Sequence, residues 1–321
     1  MKKEEILVVA PYSDSAMALF AQHYELHVLS QAADPEALLQ SIAPRIRALA
    51  TNGESGASAR LMDSLPHLEI IVCNGVGVDP IDLAHAAKRG IRVTNTPDVL
   101  TDEVADMGIG LLLSTVRRIP QCDAHVRSGQ WGHAPLPLTA RVFGKRLGIL
   151  GLGRVGKALA RRAAAFGLTV AYHNRKRIPS GDIAYTYYDN AVELARHSDF
   201  LAICASANSE NRASISRAVL DALGPTGFLI NIGRGSIVDE PVLIEYLQEQ
   251  RIAGAGLDVF WNEPAIDPRF LRLDNVVLQP HRASATTETR AAMAQLALDN
   301  LLAFSAGKPL LSEYKTRETT P

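Results

Sequence analysis

Cysteine is scarce in this chain, with three in 321 residues: Cys73, Cys122 and Cys204. An odd, widely scattered set in apolar settings cannot supply a disulfide framework and reads as reduced, buried thiols of a cytoplasmic protein. Long apolar runs are missing too. No stretch approaches the roughly eighteen residues of a membrane span. The run Ile6 to Ala10, behind the charged start Met1 to Glu5, is too short for a signal-peptide core. Neither sign of charge is in surplus: 33 Lys and Arg against 34 Asp and Glu leave a formal net charge of −1. That balance argues against a nucleic-acid partner and against an extended basic face. The histidines other than His281 show no ligand spacing with cysteine or acidic residues, so no metal is expected. No internal repeat or low-complexity tract stands out. What remains is 47% apolar and 21% charged, ordinary for a soluble globular protein and long enough for two domains.

Against these absences stands one glycine-rich turn, Gly151-Leu152-Gly153-Arg154-Val155-Gly156. It lies between an apolar run (Leu147 to Leu150) and an Ala-rich helical stretch (Lys157 to Ala165), with a second apolar run, Leu168 to Tyr172, behind. This is the context of a dinucleotide fingerprint. Gly151 permits the tight turn, Gly153 lets backbone approach a pyrophosphate, and Gly156 lets helix and strand pack closely, so a helix N-terminus faces the phosphates. An NAD site would place a carboxylate on the ribose 2′-hydroxyl about twenty residues on. Here the chain reads His173-Asn174-Arg175-Lys176. Two cations favour a 2′-phosphate, so NADP(H) is expected in preference to NAD(H), with NAD(H) still possible. Arg161-Arg162 reads as a solvated helix face.

Because the fingerprint begins only at residue 151, something else is built first. Residues 1 to 99 alternate short apolar runs (Ile6 to Ala10, Ile70 to Cys73, Ile91 to Thr94) with amphipathic stretches (Pro35 to Ile42, Ile81 to Lys88), a βαβ rhythm implying a small parallel sheet. From Asp102 to Arg127 the spacing predicts one continuous helix, with Thr101 as its N-cap. Six strands then follow, at 147–150, 168–172, 200–204, 228–232, 255–259 and 276–278, which fit one doubly wound sheet. A final helix, Thr287 to Phe304, and the tail are expected to return to the first domain. The expected fold is α/β with two domains: a Rossmann-type parallel sheet (100–285) inserted in a smaller flavodoxin-like α/β domain (1–99 completed by 286–321).

Three polar residues fall just after apolar runs in the dinucleotide half: Arg234, Glu263 and His281. In an open parallel sheet the C-terminal strand ends line the ligand crevice. A hydride delivered to a ketone creates an alkoxide that needs a proton, and a histidine suits that work because its ordinary pKa lies near neutrality. A carboxylate beside the imidazole, Glu263, would fix its tautomer and stabilise its cation. Arg234 can hold a carboxylate in a fork or polarise a carbonyl. Asp258 has two readings, a cofactor contact or a turn cap. Trp131 leaves internal packing, a substrate site and a partner subunit open.

Gly233-Arg234-Gly235, then Gly256-Leu257-Asp258-Val259-Phe260, then Asn262-Glu263-Pro264, then Pro280-His281, in this order, resembles the D-isomer-specific 2-hydroxyacid dehydrogenases over nearly the whole chain. Within that family, Arg92-Val93-Thr94-Asn95-Thr96-Pro97-Asp98-Val99-Leu100-Thr101 and the basic residues after Asn174 are similar to the NADPH-dependent glyoxylate, hydroxypyruvate and hydroxyphenylpyruvate reductases. The resemblance implies that His281 is the proton donor, Glu263 its partner, Arg234 the substrate-binding arginine and Asp258 a contact to the nicotinamide amide. It also implies that Val76 and Gly77 bind the substrate carboxylate through backbone N–H groups, that Arg154, Val155, Cys204, Ile232 and Gly233 line the cofactor, and that the protein is a homodimer. The expected reaction is reduction of a small 2-oxo acid to the D-2-hydroxy acid in the interdomain cleft. Alternatives are a hydroxyphenylpyruvate reductase and a dinucleotide-sensing protein like the corepressors that share this fold. The family pattern is broken after Cys204, where Ala205-Ser206-Ala207-Asn208 replaces a Pro and a Leu-Thr type segment. The substrate loop, Thr51-Asn52-Gly53-Glu54, is polar, which favours small substrates over aromatic ones.

Overall fold

The computed structural model describes residues 3–179 and 184–315. Met1 and Lys2 of the charged start, and the end of the C-terminal tail, lie outside the described residues. The chain divides into two compact units, 1–100 with 285–321 and 101–284.

The first unit runs β1 (Glu4–Val8), α1 (Asp14–His23), β2 (Tyr24–Val28), α2 (Pro35–Ile42), β3 (Ala48–Asn52), α3 (Ala59–Asp63), β4 (Ile70–Asn74), α4 (Leu83–Lys88) and β5 (Arg92–Thr94). All five strands are parallel, in the order β2-β1-β3-β4-β5. That order is flavodoxin-like, with its reversal point between β1 and β3. The helices start where short polar side chains satisfy orphan N–H groups: Asp34 accepts from Ala37 and is followed by Pro35, and Asp82 accepts from His85. β2 and β3 are additional to the three apolar runs of the sequence, and β1 stops at Val8, short of Ala10.

The second unit opens with α5 (Thr101–Val116) and α6 (Ile119–Arg127) in place of one continuous helix. Pro120 explains the break. It has no N–H to donate and its ring would collide with the carbonyl of Val116, whereas as an early residue of a new helix it is tolerated. Arg118 takes the left-handed conformation at φ 50° to make the turn. Thr101 is the first helical residue of α5, not its cap. The unit continues β6 (Arg146–Leu150), α7 (Arg154–Ala165), β7 (Thr169–His173), β8 (Thr186–Tyr187), α8 (Ala191–Arg196), β9 (Phe200–Ile203), α9 (Arg217–Leu223), β10 (Phe228–Asn231), α10 (Glu240–Gln248), β11 (Gly254–Leu257) and β12 (Val276–Leu278). The parallel sheet is ordered β12-β11-β10-β9-β6-β7-β8. This is the Rossmann order with one further strand, and its reversal point lies between β6 and β9. Seven strands therefore stand where six were expected, the extra one being the two-residue β8. Arg162 is not a solvated face: its guanidinium bridges from α7 to Asp102 and Asp106 of α5.

The chain then returns to the first unit with α11 (Thr287–Ser305). Alternation on β1 sends Leu7 to one face of the sheet, with Leu49, Ile71 and Met62, and Ile6 and Val8 to the other, with Phe20, Ala294, Ala297, Leu298 and Leu301. Burial of each such leucine or isoleucine stabilises by about 1.5–3 kcal/mol, so α11 is an integral layer of this unit. Behind it the tail adds to the sheet edge: Thr94 bridges Glu313, and Tyr314 N–H donates to Val93. In the second unit, Leu201, Ile203, Leu229, Ala255 and Leu257 point into the layer of α8, α9 and α10. Among the described residues no helix is long and apolar enough to cross a membrane. All three cysteines are free thiols; Cys73 is buried as expected, whereas Cys122 and Cys204 are only partly covered.

Candidate active site

The glycine-rich turn leaves β6 at the reversal point of the dinucleotide unit. Gly151 has φ 94°, and a Cβ there would sit 2.6 Å from the backbone of Ala205, so only glycine serves. A Cβ on Gly156 would lie 2.3 Å from the Gly151 carbonyl oxygen, which is the close strand–helix approach the fingerprint requires. Gly153, the N-cap of α7, is different, because a Cβ there would meet nothing within 4 Å. Internal packing gives no reason for that glycine, but a ligand drawn against the helix N-terminus does. The residues thus fit a dinucleotide pyrophosphate.

At the end of β7, Asn174 turns back to the fingerprint: its Oδ1 accepts from Leu152 N–H at 2.7 Å. Its side chain braces the turn, a use its position in the sequence did not reveal. Arg175 and Lys176 stand exposed beside it, with no carboxylate between His173 and Pro179, which fits a phosphate on the ribose. Arg175 is paired across to Glu210. Cys204 follows β9, its N–H bonded to the Leu150 carbonyl, and burial pushes its thiol up to about 12, so it stays protonated.

The other strand ends carry the reactive groups. After β10, Asn231 holds the Gly233-Arg234-Gly235 turn from both sides, its Oδ1 accepting from Gly233 N–H and its Nδ2 donating to the Arg234 carbonyl, each at 3.0 Å. A Cβ on Gly235 would fall 2.1 Å from the backbone of Phe260, so the turn lies directly on the segment that carries Glu263. After β11, Glu263 Oε1 accepts from Phe260 N–H at 2.7 Å, and its Oε2 meets His281 Nδ1 at 2.6 Å. Both side chains are largely buried. The hydrogen bond to Glu263 raises the His281 pKa above its ordinary value despite burial, which alone would lower it. Burial alone would push Glu263 up, but the hydrogen bonds from His281 and Phe260, with the charges of His281 and Arg234, hold it below the usual carboxylate range. Arg234, Glu263 and His281 are therefore brought together, each within electrostatic reach of the others.

Asp258 is buried at the end of β11. Its two carboxylate oxygens accept from Arg282 N–H at 2.7 Å and Ala283 N–H at 3.1 Å, and its carbonyl accepts from His281 N–H at 2.9 Å. Burial raises its pKa, while the two N–H donors oppose that shift. Asp258 thus caps the turn that presents His281, which answers to the second of its two readings.

In the first unit, Gly75-Val76-Gly77 follows β4. Asn95 Nδ2 donates to the Val76 carbonyl at 2.9 Å, Cys73 Sγ to the Gly77 carbonyl at 3.5 Å, and Thr96 N–H to Gly75 at 2.9 Å. The carbonyls of the turn are engaged by protein donors, a geometry suited to turning N–H groups toward an anion. Asn95 was not legible as a site residue, because its contact lies nineteen positions away. The loop after β3 spends much of its polarity on itself: Thr51 Oγ1 donates to Gly56, and Asn52 Oδ1 accepts from Glu54 and Ser55 N–H.

A doubly wound sheet with this turn at its reversal point and an imidazole–carboxylate pair at its strand ends defines a dinucleotide-dependent oxidoreductase. Residues 109–283 match the family of the D-isomer specific 2-hydroxyacid dehydrogenase NAD binding domain. Hydroxyphenylpyruvate reductase of Plectranthus scutellarioides is 51% identical over 270 residues, 84% of this chain and 86% of that protein. Glyoxylate/hydroxypyruvate reductase A of Arabidopsis thaliana is 45% identical over 97% of this chain and 99% of its own length. The crystal structure of an NADPH-dependent glyoxylate/hydroxypyruvate reductase from Sinorhizobium meliloti, in complex with NADP and malonate, superposes with a TM-score of 0.91 at 41% identity, covering 98% of this chain and 97% of that one. The chain belongs to the D-isomer specific 2-hydroxyacid dehydrogenase family and is an NAD(P)-dependent oxidoreductase.

Proposed function

We propose that this protein reduces a small 2-oxo acid of the glyoxylate or hydroxypyruvate type to the D-2-hydroxy acid, with NADPH preferred and NADH accepted. The observation that carries the reading is the 2.6 Å contact of His281 Nδ1 with Glu263 beside Arg234. The cations Arg175 and Lys176 at the end of β7, and the NADP bound by the Sinorhizobium relative, support the cofactor. When the dinucleotide is bound, its nicotinamide supplies a hydride to the carbonyl carbon. His281 holds Nδ1–H on Glu263 and gives the Nε2 proton to the oxygen as negative charge develops there. Glu263 keeps the imidazole protonated and oriented, and Arg234 holds the substrate carboxylate. Gly151, Gly153, Arg154, Val155 and Gly156 take the pyrophosphate side of the cofactor, and Cys204, Ile232, Gly233 and Asp258 its nicotinamide side.

A second reading, hydroxyphenylpyruvate as substrate, rests on the 51% identical relative and on Thr51 and Asn52, whose side chains fold the loop and do not make it a polar lining. Oxidation of NADPH and of NADH with glyoxylate, hydroxypyruvate, pyruvate, phenylpyruvate and hydroxyphenylpyruvate decides between them. Turnover of the small acids with NADPH ahead of NADH is the expected outcome; preference for the aromatic acids would move the assignment to the second reading. His281→Ala should abolish turnover with all of them while NADPH affinity stays within about twofold, because an uncharged replacement outside the pyrophosphate turn removes the proton donor alone. We also propose a homodimer, supported by exposed Trp131, Leu138 and Phe143 on the dinucleotide unit, and a cytoplasmic setting, supported by the three free thiols.

A further inference from the structure

Beyond Cys204, the loop between β9 and α9 has no part in the reaction as described, and it is where the chain leaves the family pattern. Two asparagines lock it. Asn208 Oδ1 accepts from Glu210 N–H at 2.9 Å and Asn211 N–H at 3.1 Å, Asn211 Oδ1 accepts from Asn208 N–H at 2.8 Å, and Asn211 Nδ2 donates to the Ser206 carbonyl at 2.8 Å. The backbone of Glu210 is thereby fixed, and its carboxylate reaches the end of β7, where Oε2 accepts from Arg175 Nη1 at 3.1 Å. The described stretch that follows β7, Asn174 to Pro179, has no carboxylate. The neighbouring loop delivers one from 35 positions away.

We propose that Glu210 is a cofactor-specificity residue that competes with the ribose 2′-phosphate for Arg175, weakening NADP(H) and leaving NAD(H) usable. This rests on the reading of Arg175 as the 2′-phosphate contact. The pair is 54% and 69% exposed, and a contact between charges so open to water contributes little stability. It is therefore exchangeable, and a phosphate with nearly two negative charges can displace the carboxylate. The displaced carboxylate remains tethered close to the phosphate, because Asn208 and Asn211 hold its backbone. Repulsion at about 6 Å in high dielectric lowers 2′-phosphate affinity roughly three- to tenfold at low salt and less at physiological salt. A 2′-hydroxyl is neutral and incurs no such penalty, and it can donate to the same carboxylate.

Calorimetric titration with adenosine 2′,5′-bisphosphate and with 5′-AMP isolates the 2′-phosphate from the nicotinamide and from turnover. Glu210→Gln keeps the backbone hydrogen bonds of the loop, and an unchanged Tm checks that it does. It should bind the bisphosphate about three- to tenfold more tightly at low salt, with 5′-AMP unchanged and the gain shrinking as salt rises. The gain should vanish in an Arg175→Ala background, since the competition runs through that guanidinium. Bisphosphate affinity that is unchanged or weaker in Glu210→Gln overturns the proposal, and weaker binding would make Glu210 a support for Arg175. The underlying reading is tested apart: if Arg175→Ala alone weakens the bisphosphate and 5′-AMP equally, Arg175 is not the phosphate contact and the proposal falls with it.

Discussion

His281 occupies left-handed backbone at φ 50°, where a non-glycine residue costs about 1–3 kcal/mol. The position persists because it is fixed on two sides: its own N–H and those of the next two residues all end on Asp258, and its Nδ1 ends on Glu263. The imidazole is thus presented with one nitrogen assigned to the carboxylate and the other to the reaction. In the proposed reduction the protonated form is the active one, and the hydrogen bond to Glu263 holds its pKa above the ordinary histidine value. Reduction should therefore fail as pH rises through that raised pKa. In Glu263→Gln the pKa falls, so the same loss should appear at a lower pH, with kcat reduced more than KM is raised. A kcat/KM profile whose alkaline limb stays in place would show that Glu263 does not set the acidity of His281. Stability follows the same signs. The contribution of His281 is present below its ordinary pKa and lost as pH rises through the raised value, while that of Glu263 is lost as pH falls through its lowered value.

At the level of elements, the site is a set of turns at the ends of β6, β7, β9, β10, β11 and β12, most of them held by a side chain acting on backbone. Asp258 is the clearest case. In Asp258→Asn one acceptor oxygen becomes an NH₂ facing a backbone N–H, which leaves a buried donor unmade. That should cost about 1–3 kcal/mol, lower the Tm, and depress kcat by loosening the His281 turn. Normal thermal stability and normal turnover in this variant would remove Asp258 from the support of His281. The fingerprint was legible because strand, turn, helix and second strand are contiguous, and Gly151 and Gly156 are demanded by local sterics. Arg234, Glu263 and His281 were legible from their places after apolar runs. The supports were not: Asn231, Asn95 and Glu210 act through contacts whose only sequence signal is a common polar residue. β3 escaped notice because Ala48-Leu49-Ala50-Thr51 has weak strand preference, and it is a strand because β1 and β4 pair with it on both sides. The break between α5 and α6 was legible in principle, since Pro120 marks it, but the apolar spacing runs through it.

For the whole molecule, the exposed apolar residues matter most. Trp131 is 79% exposed and Leu138 fully so, which excludes internal packing for either, and Ile119, Val126, Leu136 and Phe143 are exposed in the same stretch of chain. Single exposed apolar residues need no explanation, but six large ones within 25 positions are an apolar exposure that water disfavours. A second copy of the chain is the simplest cover, since closed two-fold pairs are the commonest assembly and place the same patch on both sides of the contact. A stable pair buries about 1,200–2,000 Å² in total, and aromatic side chains near the centre carry most of the energy. Wild-type protein should therefore sediment at twice the chain mass at micromolar concentration. Trp131→Ser combined with Leu138→Asp should dissociate it, because each change removes apolar contact twice per dimer and the second sets a charge against its own symmetry mate's surroundings. Binding of adenosine 2′,5′-bisphosphate should survive in the dissociated variant, since Arg175 and the glycine-rich turn belong to one chain; its persistence separates loss of assembly from loss of fold. A wild-type chain that sediments as a monomer across this range would leave the apolar stretch without the partner assigned to it.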